Sequence, residues 1–174
     1  MELLLGCGSS RVKKLARPDR SEWSGLVTAD MNPAHHPDIV LDLDQTDMPF
    51  PADTFHEIHA YDTLEHCGRQ GDWRFFFAQW MEFWRILKPD GVFYGISPHH
   101  TSPWAWGDPG HTRVITAESF VFLAQPSYAQ VGTTPMTDYR FCWSGDFDLV
   151  HSVVDEIRQF QFALKAIKPA RVMA

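Results

Sequence analysis

Short apolar runs alternate with polar, glycine- and proline-containing segments along the first hundred residues of the chain. Five of these runs have the length and flanking turns of buried strands, namely 2–5, 26–29, 38–41, 55–61 and 92–97. Residues 72–87 carry apolar side chains at intervals of three and four, which predicts an amphipathic helix. Lys88-Pro89-Asp90-Gly91 follows it and predicts its end.

The pattern also predicts two shorter helices and a final hairpin. Ser9 and Ser10 are suitable caps for a helix over residues 9–15, and Thr116 for one over 116–124. The basic residues of the first helix and its neighbourhood are expected on a solvated face: Lys13, Lys14, Arg17 and Arg20. The last two runs, 147–154 and 160–167, are separated by a short polar turn and predict an antiparallel pair.

Strands that alternate with helices favour one α/β domain over residues 1–174. We expect a doubly wound, Rossmann-like, mostly parallel seven-stranded sheet with a C-terminal antiparallel hairpin. Ligands of such sheets bind beyond the carboxyl ends of the strands. The residues that follow each strand are therefore the candidates for function.

The first strand runs into Gly6-Cys7-Gly8, which permits a tight turn and a close approach of a ligand to the backbone. A Gly-x-Gly sequence is common, so this turn alone indicates a nucleotide-like ligand only weakly. Arg11 stands where the dinucleotide fingerprint has its third glycine. The turn therefore suits a nucleoside ligand without a pyrophosphate and disfavours a nucleotide-dependent oxidoreductase.

Carboxylates follow the next three strands. Asp30 can accept hydrogen bonds from ribose hydroxyls, or it forms an Asx turn with Asn32 and Pro33. Asp42 can accept from an adenine amino group while the amide of Leu43 serves a ring nitrogen. Alternatively, Asp42 only caps a loop, and Asp44 or Asp47 takes the adenine-binding role. Tyr61-Asp62 can face the far end of the ligand, or it begins a helix.

Six segments in this order resemble the class I S-adenosylmethionine-dependent methyltransferases, in particular the small, single-domain, Leu-Gly-Cys-Gly type. The similar segments are Leu3–Gly8, Leu26–Pro33, Asp38–Pro51, Phe55–His66 with its Leu-Glu-His ending, Phe83–Gly91 and Asp108–Phe120. The resemblance implies methyl transfer to an unidentified acceptor, with S-adenosyl-L-methionine as the cofactor. It implies that the cofactor is held by Gly6, Cys7, Gly8, Asp30, Met31, Asp42, Leu43, Tyr61 and Asp62.

One departure from the family pattern and one expected absence favour an alternative function. Leu4 stands where the family often has an acidic residue, whereas the replacement of a Gly-Gly pair by Asp90-Gly91 is minor. The chain begins at the first strand, so we expect no N-terminal helices that form a lid. The alternative is a cofactor-binding accessory protein on a methyltransferase fold with little activity of its own.

Histidines after the fifth strand are the candidates for a catalytic base. His99, His100 and His111 lie in a segment that also holds Trp104 and Trp106, which either line an acceptor pocket or cover the sheet. Loop histidines often have no catalytic role. No histidine, cysteine or carboxylate set has convincing ligand spacing, so we predict no metal site.

The composition limits the classes of molecule that the protein is expected to bind. A net charge of −7 disfavours nonspecific nucleic-acid binding. The three widely spaced cysteines suggest no disulfide framework, and no apolar run approaches a membrane span. We therefore expect a cytoplasmic protein with a small-molecule cofactor and no membrane partner. Exposed sheet edges are compatible with a homodimer.

Overall fold

The protein folds around one mixed β-sheet, as seen in a computed structural model that describes residues 1–171. The strands are β1 Glu2–Leu5, β2 Leu26–Asp30, β3 Ile39–Val40, β4 Phe55–Tyr61, β5 Leu87–Pro98, β6 Phe147–Val154 and β7 Gln159–Ala166. Their order across the sheet is β3-β2-β1-β4-β5-β7-β6.

Strands β1 to β5 pair in parallel, and β7 lies antiparallel between β5 and β6. The predicted mostly parallel, Rossmann-like sheet of seven strands with a C-terminal hairpin is therefore confirmed. The direction of strand addition reverses between β1 and β4. This switch point opens a crevice beyond the carboxyl ends of β1 and β4, where ligands of such folds bind.

Successive residues of the central strands face opposite sides of the sheet, and the two sides are covered differently. Leu3 and Leu5 belong to the main core, which is rich in aromatic side chains. Leu4 faces the other side, where it forms a small cluster with Cys7 and Tyr61. The position that departs from the family pattern is therefore a packing position on the second side.

Helix α1 (Trp73–Ile86) covers the main core, close to its predicted bounds. The Asp72 side chain caps it by accepting a hydrogen bond from the Phe75 amide at 3.0 Å. Trp80 is 1% exposed and makes an edge contact with Phe93 of β5. Burial of such aromatic side chains is the main force that holds the helix on the sheet.

The segment after α1 differs from the prediction, because β5 begins at Leu87 without an intervening turn. Phe55 of β4 pairs with Leu87, whereas Glu57 pairs with Val92. Residues 88–91 consequently bulge out of the ladder, with Asp90 at a φ of +60°. The turn-forming residues predicted here interrupt the pairing instead of preceding the strand.

The predicted helix over residues 9–15 is wrong, since this segment is irregular and packs on the second side of the sheet. Lys13 was expected in solvent, but its side chain is 2% exposed. Its Nζ lies 3.1 Å from Oε2 of Glu2 and 2.7 Å from Oε2 of Glu57. Two buried carboxylates require a cation, and this requirement outweighs the local preference for a helix.

The crossovers beyond β5 are also mostly irregular. A single turn of helix, α2 (Trp104–Gly107), interrupts the predicted loop 98–115. The predicted helix over 116–124 is a 3-10 helix at Ala117–Leu123, and a second 3-10 helix spans Gln125–Gln130. The doubly wound order is therefore built with one long helix among residues 1–171.

Candidate functional site

The turn after β1 requires both of its glycines. Gly6 and Gly8 have φ values of +58° and +51°, a region that residues with a side chain rarely adopt. A Cβ at Gly6 would overlap the side chain of Thr63, whereas the space beside Gly8 is open. The first glycine therefore allows close packing against the end of β4, and the second leaves room for a ligand.

Asp30 joins the end of β2 to this glycine turn. Its Oδ2 accepts a hydrogen bond from the Gly8 amide at 2.8 Å, and its Oδ1 accepts one from the Asn32 amide at 2.8 Å. Burial opposes the charge of Asp30, but these amides and the nearby His35 ring together lower its pKa. The side chain is thus a carboxylate with lone pairs left for further donors.

The segment after β3 presents a second group of carboxylates. Oδ1 of Asp42 accepts from the Asp44 amide at 2.9 Å, and Oδ1 of Asp44 accepts from the Gly68 amide at 2.7 Å. Asp42 is exposed, while the Leu43 side chain is only 7% exposed. The Asp42 loop-cap contact therefore exists, and it leaves the second carboxylate oxygen of Asp42 free for another donor.

β4 ends in two residues that face different ways. Asp62 has a φ of +50°, and its carboxylate pairs with Nζ of Lys14 at 3.1 Å. The hydroxyl of Tyr61 instead lies 2.7 Å from Nδ1 of His59, on the second side of the sheet. Burial raises the pKa of Tyr61 to about 12. Only Asp62 of the pair faces the crevice.

These strand ends surround a cavity of about 540 Å³, which we call the strand-end cavity. Seven of the nine residues predicted to hold the cofactor line it, namely Gly6, Gly8, Asp30, Met31, Asp42, Leu43 and Asp62. The side chains of Cys7 and Tyr61 pack together on the other side of the sheet. The cavity is also lined by Asp44, the competitor of Asp42, and by residues that were not predicted to hold the cofactor: Asn32, His35, Leu41, Thr63, His66 and Cys67.

A second cavity of about 400 Å³ adjoins the first, and we call it the loop cavity. Asp62 and His66 line both cavities, so the two spaces meet at the end of β4. Glu65, which follows β4, also lines it, and the remaining lining comes from the β5 end, the loop after it and the β6–β7 turn: Pro98, Ser102, Trp104, Asp108, His111, Ile157 and Gln159.

The three histidines predicted as bases are separated by the structure. His111 lines the loop cavity, whereas His99 and His100 are absent from the lining of both cavities. The rings of His99 and His100 lie 3.9 Å apart, and Nδ1 of His99 is 2.8 Å from the Thr101 hydroxyl. Trp104 and Trp106 are 69% and 72% exposed, so neither covers the sheet, and Trp104 reaches the loop cavity.

Glu65 and His66 are site residues that the sequence reasoning did not single out. Glu65 is 2% exposed, and burial raises the pKa of its carboxyl group. Both residues lie in the Leu64-Glu65-His66 sequence that carried part of the family resemblance. That motif is the sequence signal that could have indicated Glu65 and His66, but the proximity of these two residues to His111 depends on the folded loop.

A smaller cavity of about 240 Å³ lies beside the start of α1, between Trp73, Phe77 and Tyr139. None of the residues predicted for the site lines it, and it lies away from the carboxyl ends of β1 and β2. The candidate site is therefore the pair of cavities at the strand ends.

No family model matches the sequence, and neither does any curated protein. Solved structures do match. The protein bound to the Trm112 methyltransferase activator in a Haloferax volcanii complex superposes with a TM-score of 0.60 at 13% identity, over 95% of this chain and 82% of that one. An S-adenosylmethionine-dependent methyltransferase from Archaeoglobus fulgidus gives 0.57 at 14% identity, over 94% and 85%. Another from Mesorhizobium loti gives 0.56 at 15%, over 94% and 90%.

The chain therefore has the fold of the class I S-adenosylmethionine-dependent methyltransferases, as its sequence pattern predicted. Among residues 1–171, no helix has the length and apolarity needed to cross a membrane.

Proposed function

We propose that this protein is an S-adenosylmethionine-dependent methyltransferase that holds the cofactor in the strand-end cavity. The observation that carries the proposal is the convergence of Gly6, Gly8, Asp30 and Asp42 on one cavity at the switch point of a sheet with the methyltransferase strand order. Structures that share this fold at low identity are named as methyltransferases of this kind, which supports the same assignment.

The residues fit such a ligand. The open space at Gly8 admits it next to the backbone, and Asp30 is a buried carboxylate suited to two ribose hydroxyls. Asp42 is available for an adenine amino group, and the Leu43 amide for a ring nitrogen. Asp62 stands at the opposite end of the cavity, where the cofactor's amino-acid portion would lie.

The cofactor, when bound, supplies a sulfonium-activated methyl group. The protein's task is then to hold an acceptor at close, in-line distance and to exclude competing water. The loop cavity meets the strand-end cavity at Asp62 and His66, and we assign it to the acceptor.

Calorimetry with S-adenosylhomocysteine tests cofactor binding. We expect saturable binding by the unaltered protein and at least tenfold weaker binding by Asp30→Asn, which loses the charge toward the ribose hydroxyls. Asp47→Asn is the matched control, because Asp47 is an exposed aspartate of a nearby loop that lines neither cavity. If the unaltered protein does not bind S-adenosylhomocysteine at millimolar concentration, the proposed function is wrong.

A turnover measurement distinguishes an active methyltransferase from an accessory protein that only binds the cofactor. The purified chain, incubated alone with methyl-labelled S-adenosylmethionine and a panel of hydroxyl, amine and thiol acceptors, is expected to label at least one class. Cofactor binding without labelling of any class would favour the accessory role.

A further inference from the structure

Glu65, His66 and His111 converge where the loop cavity begins. One potential ligand atom from each residue lies within 4.8 Å of the other two. The rings of His66 and His111 meet edge to face, with centroids 4.6 Å apart. These groups come from the end of β4 and from the loop after α2, so only the fold brings them together.

The buried atoms of this cluster lack partners. Oε1 of Glu65 and Nδ1 of His111 form no hydrogen bond with any described residue, although Glu65 is 2% exposed and the His111 side chain 7% exposed. A buried carboxylate oxygen and a buried ring nitrogen without partners are costly. Two such atoms in one cluster of ligand-type side chains point to a ligand that both can bind.

The other polar atom of each side chain faces a neighbour. Oε2 of Glu65 accepts from the Ser97 hydroxyl at 3.0 Å, and Nδ1 of His66 lies 3.2 Å from the Gly110 carbonyl oxygen. Nε2 of His111 faces Oδ2 of Asp108 at 3.7 Å, which is an ion-pair distance and too long for a hydrogen bond. Histidine metal ligands characteristically have their second nitrogen oriented by a carbonyl or a carboxylate in this way.

We propose that Glu65, His66 and His111 bind one divalent transition-metal ion at the entrance of the loop cavity. Glu65 Oε1, His66 Nε2 and His111 Nδ1 are the ligands, because the remaining atom of each side chain already faces Ser97, Gly110 or Asp108. Two imidazoles and one carboxylate favour zinc, iron, cobalt, nickel or manganese over magnesium or calcium. Metal bonds of about 2.1 Å bring ligand atoms to about 3–4 Å from each other, so the side chains close on the ion.

Three protein ligands leave coordination positions open toward the cavity. An oxygen of a second molecule, such as a hydroxyl or carboxylate group, can occupy them beside the exposed side chains of Trp104 and Ile157. That this second molecule is the methyl acceptor rests on the proposed function. The metal site itself rests only on the contacts of its three residues.

Titration of the cofactor-free protein with Co²⁺, Zn²⁺ and Mn²⁺ tests the site, by calorimetry and by the visible absorption of bound Co²⁺. One ion per chain is expected. Glu65→Gln and His111→Ala should each weaken Co²⁺ binding more than tenfold and alter its spectrum. His151→Ala is the matched control, since His151 is an exposed histidine on β6, and it should bind as the unaltered protein does.

Thermal melts and S-adenosylhomocysteine calorimetry on each variant establish that it is folded with the strand-end cavity intact. No Co²⁺ or Zn²⁺ binding at millimolar concentration would overturn the metal site, as would equal binding by Glu65→Gln, His111→Ala and the unaltered protein. Metal binding without S-adenosylhomocysteine binding would instead contradict the proposed function and still support the metal site.

Discussion

Nζ of Lys13 lies 2.7 Å from Oε2 of Glu57, and both side chains are only 2% exposed. The same ammonium also contacts Glu2 of β1. This ion cluster therefore holds the irregular segment after the glycine turn against two neighbouring parallel strands. The segment replaces the helix that the sequence predicted there.

Replacement of Lys13 by Met should destabilise the protein strongly. The variant keeps the length of the side chain but leaves two buried carboxylates without their cation, which typically costs about 3–5 kcal/mol. Urea denaturation measures the change in the free energy of unfolding. Lys14→Met is the control, because Lys14 pairs with Asp62 at a 42% exposed position, where ion pairs contribute about 0–1 kcal/mol. Similar losses for the two variants would contradict the assignment.

The same cluster makes stability depend on pH. Burial lowers the pKa of His59 below its ordinary 6.5, against the opposing hydrogen bond to Glu57. Burial also opposes the charge of Glu57, but hydrogen bonds from His59 and Lys13 lower its pKa to about 2 from 4.5. In both cases the unfolded chain takes up the proton first. Stability is therefore full above about pH 7 and falls as the pH decreases, first through His59 and then through Glu57.

We expect the free energy of unfolding to decrease by up to about 1.4 kcal/mol per pH unit below about pH 6.5 from His59 alone. His59→Gln removes this titration while keeping polar atoms near Glu57 and Tyr61. Its stability should change less between about pH 6.5 and pH 5 than that of the unaltered protein. Equal slopes would show that other groups control acid sensitivity.

The sequence predicted the sheet well because its signals are local. Phe55–Tyr61 and Phe147–Val154 have the predicted bounds, since apolar content and flanking turns define a strand within a few residues. The conformation of residues 9–25 could not be obtained in this way. That conformation depends on Glu2 of β1 and Glu57 of β4, which become neighbours of Lys13 only in the folded sheet. In a sequence, a lysine in a polar segment ordinarily indicates a solvent-exposed side chain.

The residues of the candidate site also differ in whether local sequence signals could predict them. Asp30 and Asp42 could be predicted because the carboxyl ends of parallel strands share one edge of the sheet. His66 and His111 come from separate loops, and only the path of residues 99–115 brings their rings together. Conversely, the adjacent His99 and His100 suggested a site, yet they contact each other outside both cavities.

The two glycines of the first turn should respond differently to substitution. Gly6→Ala forces the Thr63 side chain aside in addition to the positive-φ strain, whereas Gly8→Ala meets open space and carries only the strain of about 1–2 kcal/mol. We expect the larger loss of unfolding free energy for Gly6→Ala. Because Gly8 lines the strand-end cavity and an added methyl group would take up open space there, Gly8→Ala should weaken S-adenosylhomocysteine binding beyond its effect on stability. The two variants are compared by urea denaturation and by calorimetry. A Gly8 variant with unchanged affinity would argue against a ligand at this turn.

Gly110 allows its own carbonyl group to approach His66. A Cβ at this position would lie 3.0 Å from Nδ1 of His66 and 3.2 Å from Oδ1 of Asp108. The glycine does not use a left-handed φ, so an alanine here adds crowding without backbone strain. Gly110→Ala should therefore displace His66 and weaken Co²⁺ binding by about tenfold, with less than about 1 kcal/mol of destabilisation.

Gly107→Ala, at the end of α2 and three residues before Gly110, is the matched control, because the nearest neighbour of its Cβ would be a Trp104 ring atom at 4.0 Å. It should leave Co²⁺ affinity unchanged. If Gly110→Ala binds Co²⁺ as tightly as Gly107→Ala does, the Gly110 carbonyl does not orient His66. The ring would then have to bind the ion in an orientation other than the one observed, and Nδ1 would be released as a second candidate ligand atom.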